Sequence, residues 1–390
     1  MTEMAYGAVV ASSGEPVISK WWRTVDRVSL AAVLGLFLIG ILLGLAASPP
    51  LAERNGLGTF FYVTRQAIFG VAALAGMVFL SMQSPVTVRR LAVIGFFGVF
   101  LALLLLPWLG TDYGKGAVRW YSLGFASLQP SEFLKPVFVV FSAWLMSAST
   151  DLDGPPGKLI SFGVAVVLAL LLALQPDFGQ AMLIVAAWML MYFVAGAPIW
   201  LLVGLAGGVA AAGTLAYNTS PHFARRIDGF LSPDLDPTTQ LGFATNAIQE
   251  GGIFGVGVGE GSVKWSLPDA HTDFIIAVAA EEYGVLLVFL IMALFLTITL
   301  RALLRLVRER DAFVRLAGVG LASLLSMQAL INLGVAVRLL PAKGMTLPFV
   351  SYGGSSLLAA GMTLGFLLAL TRKRPQHDMG EVLGKAQGDE

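Results

Sequence analysis

The sequence predicts an all-α integral membrane protein of about ten transmembrane helices, with a large extracytoplasmic loop before helix 8. Three observations carry this. Only 13% of the 390 residues are charged, about half the share usual in soluble domains. Apolar windows near spanning length recur along the chain. Lys and Arg gather in alternate loops between those windows.

The windows are 28–47, 61–82, 91–110, 131–148, 158–175, 178–195, 198–217, 274–300, 313–337 and 353–371. In hydrocarbon every backbone polar group must be satisfied within the segment, so these lengths read as helices. The first window follows Lys20, Arg23 and Arg27, and Leu45-Ala46-Ala47 resembles a cleavage site. The run exceeds a signal core in length, so it is read as an uncleaved first helix. One set of loops holds Lys20, Arg23 and Arg27, then Arg89 and Arg90, then Lys158. The same set holds Arg301, Arg305, Arg308, Arg310 and finally Arg372, Lys373 and Arg374. The positive-inside rule then puts both termini in the cytoplasm. The division that follows is an N-terminal tail 1–24, a membrane domain 25–372 with its outer loop at about 218–273, and a C-terminal tail 373–390. The first nineteen residues and the tail after Arg374 are polar and show no helical pattern.

Composition excludes several classes. A net charge of +1 offers no field for nucleic acid. Cys is absent, which removes disulfides, thiolate zinc sites and cysteine nucleophiles. The three His are scattered and form no HExxH pattern.

The unusual motifs all fall on the outer side. Gly116-Ala117-Val118-Arg119-Trp120 precedes Leu128-Gln129-Pro130-Ser131-Glu132 and Lys135. Pro130 suits a first helical turn, and Glu132 and Lys135, three apart, can pair on one face. Read alone, this is a neutralised pair beside an interfacial Trp anchor. Gln175-Pro176-Asp177-Phe178-Gly179-Gln180 marks a tight turn in which Asp177 can cap the next helix. In the large loop, adjacent Arg225 and Arg226 suit a diphosphate or another anion. The run Gly251 to Gly261 lacks a full GxGxxG and a preceding strand, so it is not a dinucleotide loop. Its glycines permit close backbone approach, to a neighbouring helix or to a ligand.

The loop ends in Leu267-Pro268-Asp269-Ala270-His271-Thr272-Asp273, where a carboxylate meets the start of an apolar helix. Acids at that depth mark functional sites, although Asp also serves as an N-cap. A partly desolvated Asp suits a general base. With a 1.5 Å rise per residue, Glu281 is expected about 12 Å below it. Leu340-Pro341-Ala342-Lys343-Gly344-Met345-Thr346-Leu347-Pro348-Phe349-Val350-Ser351-Tyr352-Gly353-Gly354-Ser355-Ser356 reads as an ordered re-entrant or capping loop.

In this order the motifs resemble those of the SEDS family of bacterial cell-wall glycan polymerases, the FtsW/RodA family, over about residues 25–372. The string at 343–346 looks more FtsW-like than RodA-like. Asp269 stands where the family usually shows Glu, Tyr283 where Leu is common, Arg338 where a small or neutral residue is usual, and Val118 where a basic one is frequent.

The resemblance implies ten membrane helices in the bacterial inner membrane and polymerisation of lipid II on its outer face. It implies that Asp273 is the essential carboxylate and that Trp120 matches the family's outer-loop Trp. The substrate-binding set is then Arg119, Trp120, Glu132, Lys135, Asp177, Arg225, Arg226, His271, Lys343, Ser351, Tyr352 and Ser355. A divalent cation, Mg²⁺ or Mn²⁺, would bridge a carboxylate and the diphosphate. Partners implied are lipid II, the nascent glycan strand, a class B penicillin-binding transpeptidase and other divisome membrane proteins at the septum. A lipid II flippase, a RodA-like elongation polymerase and a scaffold for division proteins are the competing readings.

Overall fold

The computed structural model describes residues 16–112, 118–124, 126–150, 153–232, 239–267, 269–341 and 344–373, without the side chains of His222, Arg226 and Val263. The helices are α1 (Val17–Thr24), α2 (Arg27–Ala47), α3 (Pro49–Arg54), α4 (Phe61–Ser81), α5 (Pro85–Leu109), α6 (Pro130–Ala148), α7 (Gly157–Leu174), α8 (Phe178–Val194), α9 (Ile199–Thr219), α10 (Pro221–Leu231), α11 (Gln240–Gly251), α12 (Ile275–Tyr283), α13 (Val285–Leu306), α14 (Ala312–Ala336) and α15 (Gly354–Leu370). A two-stranded hairpin, β1 (Tyr121–Ser122) and β2 (Ser127–Leu128), pairs Tyr121 with Leu128 and Ser122 with Ser127.

Eight of the described helices are long and apolar enough to cross a membrane, and α8 and α15 are shorter apolar helices of 17 residues each. At 1.5 Å per residue, 17 residues reach about 25 Å, near the hydrocarbon thickness. Each of the ten expected windows therefore holds a membrane helix. α6, α14 and α15 are the central membrane helices, with most of their side chains buried. Large apolar side chains such as Ile68, Ile94, Leu170 and Phe289 stay exposed around the bundle. In water such a surface would aggregate; facing lipid it needs no cover.

Both described ends meet at one end of the bundle. Lys373 N donates to Thr24 O at 3.1 Å, and Arg305 Nη1 donates to Thr371 O at 3.0 Å. Beside them Asp26 caps α2, accepting from Val28 N at 3.2 Å, and takes the Arg301 fork at 2.7 and 2.9 Å. At this same end Arg372 Nη1 donates to Met82 O at 3.2 Å and Arg27 Nε to Trp22 O at 3.2 Å.

Two expectations need correction. Val17–Ser19, read as non-helical, open α1, because the Trp21 indole anchors that turn by donating to Ser81 Oγ at 2.9 Å. The window 274–300 is not one helix: it breaks at Gly284, whose φ is +78°. A break in a membrane helix strands carbonyl groups, and here the glycine run supplies their donors. Val256 N donates to Glu281 O at 2.8 Å, and Gly257 N to Glu282 O at 3.2 Å. In return Val285 N donates to Gly252 O at 3.0 Å. A Cβ at Gly251 would overlap the Ala280 carbonyl, and one at Gly284 the Ile253 carbonyl. The run thus serves approach to a helix. A buried Lys264–Glu282 ion pair fastens the same junction.

The segment 218–273, expected to be the outer loop, is structured over its described residues. Ser220 caps α10 through Phe223 N at 3.4 Å, and Thr239 caps α11 through Gly242 N at 3.1 Å. Arg338 donates through Nη2 to Ser232 O at 2.5 Å, gripping the C-terminal end of α10.

Candidate active site

At the end of the bundle opposite the Asp26–Arg301 pair, a cavity of about 480 Å³ opens. One wall is the turn that precedes α12. The Asp269 carbonyl accepts the N–H of Thr272 at 3.0 Å and of Asp273 at 3.1 Å, with Asp269 at φ +56°. Asp tolerates that left-handed conformation better than most residues. The N-cap position of α12 is held by Phe274, so Asp273 stands one residue before the cap. Asp273 lines the cavity, and its Oδ2 approaches Gly344 so closely that a Cβ there would stand 3.5 Å away. Gly344 has φ +65°, which favours glycine.

The segment 344–353 holds that turn in place. Ser351 Oγ donates to Thr272 O at 2.5 Å and accepts from Leu347 N at 2.9 Å. Tyr352 N donates to His271 O at 2.9 Å. The rings of Tyr62, His271 and Tyr352 form a triangle with centroids 5.4–5.8 Å apart. Burial pushes the Tyr352 phenol up, against the opposing charge of Arg65.

The other wall joins the hairpin, the α7–α8 turn and the start of α6. Arg119 donates through Nε to Gln175 O at 3.0 Å and through Nη2 to Pro176 O at 2.6 Å. Trp120 stands beside it, bridged to Thr111. Asp177 occupies the N-cap position of α8 but makes no cap bond; its Oδ2 accepts from Ser131 Oγ at 3.2 Å. Burial pushes its carboxyl up, Arg119 opposes this and Glu132 adds to it. Glu132 takes Lys135 Nζ at 2.7 Å and Gln180 Nε2 at 2.6 Å. Ser355 Oγ donates to Ser127 O at 2.8 Å and accepts from Gln129 N at 3.0 Å, tying the hairpin to α15.

Asp273, Arg119, Trp120, Glu132, Asp177, His271, Tyr352 and Ser355 therefore share one cavity. Lys135 and Ser351 stand behind its walls, each bonded to a lining element. Arg225 does not join them: it is exposed on α10 and its Nε donates to Pro221 O at 3.2 Å. Lys343 and the Arg226 side chain lie outside the described residues. Arg65, which lines the same cavity from α4, was not foreseen. Its signal was available, since an Arg inside an apolar span points to function by default.

Chemically, the cavity places four carboxyl groups, on Glu132, Asp177, Asp269 and Asp273, and two guanidinium groups, on Arg65 and Arg119, around one space. That set can take a proton from a hydroxyl and neutralise a departing anion. Among the described residues no group of three or more His, Asp or Glu side chains is placed to hold a metal ion. One or two carboxylates, with substrate phosphates and water, remain the donor set that suits Mg²⁺.

The family model for FtsW, RodA and SpoVE, described as "Cell cycle protein", matches residues 27–376. A protein of Caulobacter vibrioides named "Probable peptidoglycan glycosyltransferase FtsW" is 42% identical over 367 residues, 94% of each chain. A protein of the same name from Halorhodospira halophila is 37% identical, over 94% of this chain and 95% of the relative. Among solved structures, a chain from a study of "polymerization and crosslinking by a peptidoglycan synthase complex" superposes with TM-score 0.72 at 28% identity, covering 89% of this chain and 97% of that one. The Rod shape determining protein RodA of Thermus thermophilus gives TM-score 0.64 at 25% identity, covering 90% and 97%.

Proposed function

The chain belongs to the FtsW/RodA/SpoVE family, and from that premise we infer that it is a peptidoglycan glycosyltransferase polymerising lipid II at the outer face of the inner membrane. The observation that carries the reading is the meeting of Asp273, Arg65 and Arg119 around one cavity at a single end of the bundle. Asp273 takes the proton of the acceptor GlcNAc 4-hydroxyl as that oxygen attacks the donor MurNAc anomeric carbon. The bond from that carbon to the diphosphate breaks on the opposite face, inverting the centre and releasing undecaprenyl diphosphate. Arg119 and Arg65 neutralise the departing charge. Trp120 packs on sugar or prenyl stem. Mg²⁺ or Mn²⁺, when bound, supplies further charge neutralisation between carboxylate and diphosphate.

A flippase needs polar groups along a path through the bilayer, whereas the groups that line the cavity gather at one end. The higher identity to FtsW relatives supports division at the septum over elongation, with both termini cytoplasmic. The likeness to a chain of a synthase complex supports a class B penicillin-binding transpeptidase as partner. The chain's outer segment contains no SxxK motif for cross-linking. α9, with no buried residue and open space around Gly204, Gly207 and Gly208, is the surface proposed for close helix packing with that partner or another divisome protein.

The test is glycan synthesis from purified lipid II in proteoliposomes, with and without the cognate transpeptidase. Strand synthesis that rises with the partner is the expected result. Full synthesis alone, unchanged by the partner, removes the partner claim; no synthesis under either condition removes the activity.

Trp120→Ala is expected to slow turnover while shifting the thermal midpoint little. A parallel fall of both, measured by lipid II consumption and thermal unfolding in detergent, would mark an interfacial anchor instead.

A further inference from the structure

α14 carries two amides one turn apart, Gln328 and Asn332, in a span that is otherwise largely apolar. Residues four apart share a helix face. Both are buried, at 6% and 2% exposure, and neither lines the large cavity. A polar side chain in a membrane span is retained where it bonds to something.

Asn332 Nδ2 donates to two backbone carbonyls, Asp273 O at 3.0 Å and Met345 O at 2.8 Å. The first-turn bonds of α12 begin at Phe274 O, which accepts from Ala277 and Val278 N, so the Asp273 carbonyl lies just outside that ladder. Two carbonyl acceptors also settle which end of the amide is nitrogen, because an oxygen there would be repelled. Gln328 Nε2 donates to Thr346 O at 2.9 Å, while its Oε1 accepts from Lys135 Nζ at 3.3 Å. One helix face thus grips residues 345 and 346, the turn that carries Asp273, and through Lys135 the ion pair on α6. Gly344, against Asp273 Oδ2, is the next residue along the gripped segment.

We propose that Gln328 and Asn332 are positioning residues: their amides hold the Asp273 turn and the 344–347 segment in register, so that the carboxylate faces the acceptor hydroxyl. The inference rests on the reading of Asp273 as general base. Aliphatic side chains would fill the same volume, but they would leave three carbonyls, that of Met345 buried and those of Asp273 and Thr346 partly buried, without those donors. The segments on either side would then shift, and a misplacement of about 1 Å at a reacting group costs roughly 10²-fold in rate.

The experiment is lipid II polymerisation by the purified protein with its transpeptidase, scored as kcat per folded molecule, KM and thermal midpoint. Asn332→Leu is expected to lower kcat about 10- to 100-fold with KM within about twofold. Asn332→His, which keeps one N–H, is expected to recover part of the loss. Gln328→Met, which removes the second grip, is expected to lower kcat by a smaller factor, and it tests the clamp even where Asn332→Leu does not fold. Ser326→Ala on the same helix deletes part-buried bonds to Ala322 O and Thr299 Oγ1 and serves as the stability control. Full kcat per folded molecule in Asn332→Leu or Gln328→Met, with Asp273→Asn inactive, overturns the clamp alone. An active Asp273→Asn overturns the base reading and the clamp together.

Discussion

Asp273→Asn and Asp273→Ala are expected to lose lipid II polymerisation by roughly 10²–10⁴-fold, the usual worth of one general base. Folding and membrane insertion should survive. The turn is built from backbone bonds: the Asp269 carbonyl takes the N–H of Thr272 and Asp273, and Ser351 holds Thr272 O. α12 begins at its N-cap residue Phe274, one residue past Asp273. Asn keeps the shape of Asp but cannot accept the acceptor's proton at neutral pH. Glycan yield from purified lipid II, alongside the thermal midpoint, separates the two quantities. Near-normal yield from the Asn variant would end the assignment of Asp273 as the base.

The second large effect is on stability. Removing one partner of Glu132–Lys135 leaves a buried charge, at a cost of about 3–5 kcal/mol. The pair is 2.7 Å apart, with both side chains almost wholly buried. Its neighbours are Gln180 and Gln328, whose amides can offer either an oxygen or a nitrogen. Gln180 presents Nε2 to Glu132, and its Oε1 has no hydrogen-bond partner among the described residues, so turning the amide over would offer that oxygen to a Lys at 132. The charge swap Glu132→Lys with Lys135→Glu should therefore recover thermal midpoint that each single change loses. Activity is expected to recover less, because Glu132 also lines the cavity. A double variant no more stable than the singles would show that the pairing contributes nothing.

The apolar helices, the gathering of the motifs at one end of the bundle and the Glu132–Lys135 pair were legible because each depends on local regularity. Spanning length, a 3.6-residue period and a spacing of three are properties of short stretches of chain. The position of Asp273, an acid where a polar segment turns apolar, was legible for the same reason; its role as base is the proposal. What lay beyond the sequence depends on how distant segments meet. Window averages tolerate a single Arg, so Arg65 passed as part of α4 until the rotation of that helix placed it on the cavity. The glycine run left open whether a helix or a ligand would come near, and only the break at Gly284 shows it feeding donors to Glu281 and Glu282. Ser351 reads as a polar residue in a polar loop, yet its hydroxyl is spent on Thr272 and Leu347 behind the wall. Arg225 reads as an anion ligand, yet α10 holds it away from the cavity. Residue type and spacing decide which elements form and what chemistry they carry. The direction each side chain faces is decided by helix rotation and long-range packing, which no local pattern encodes.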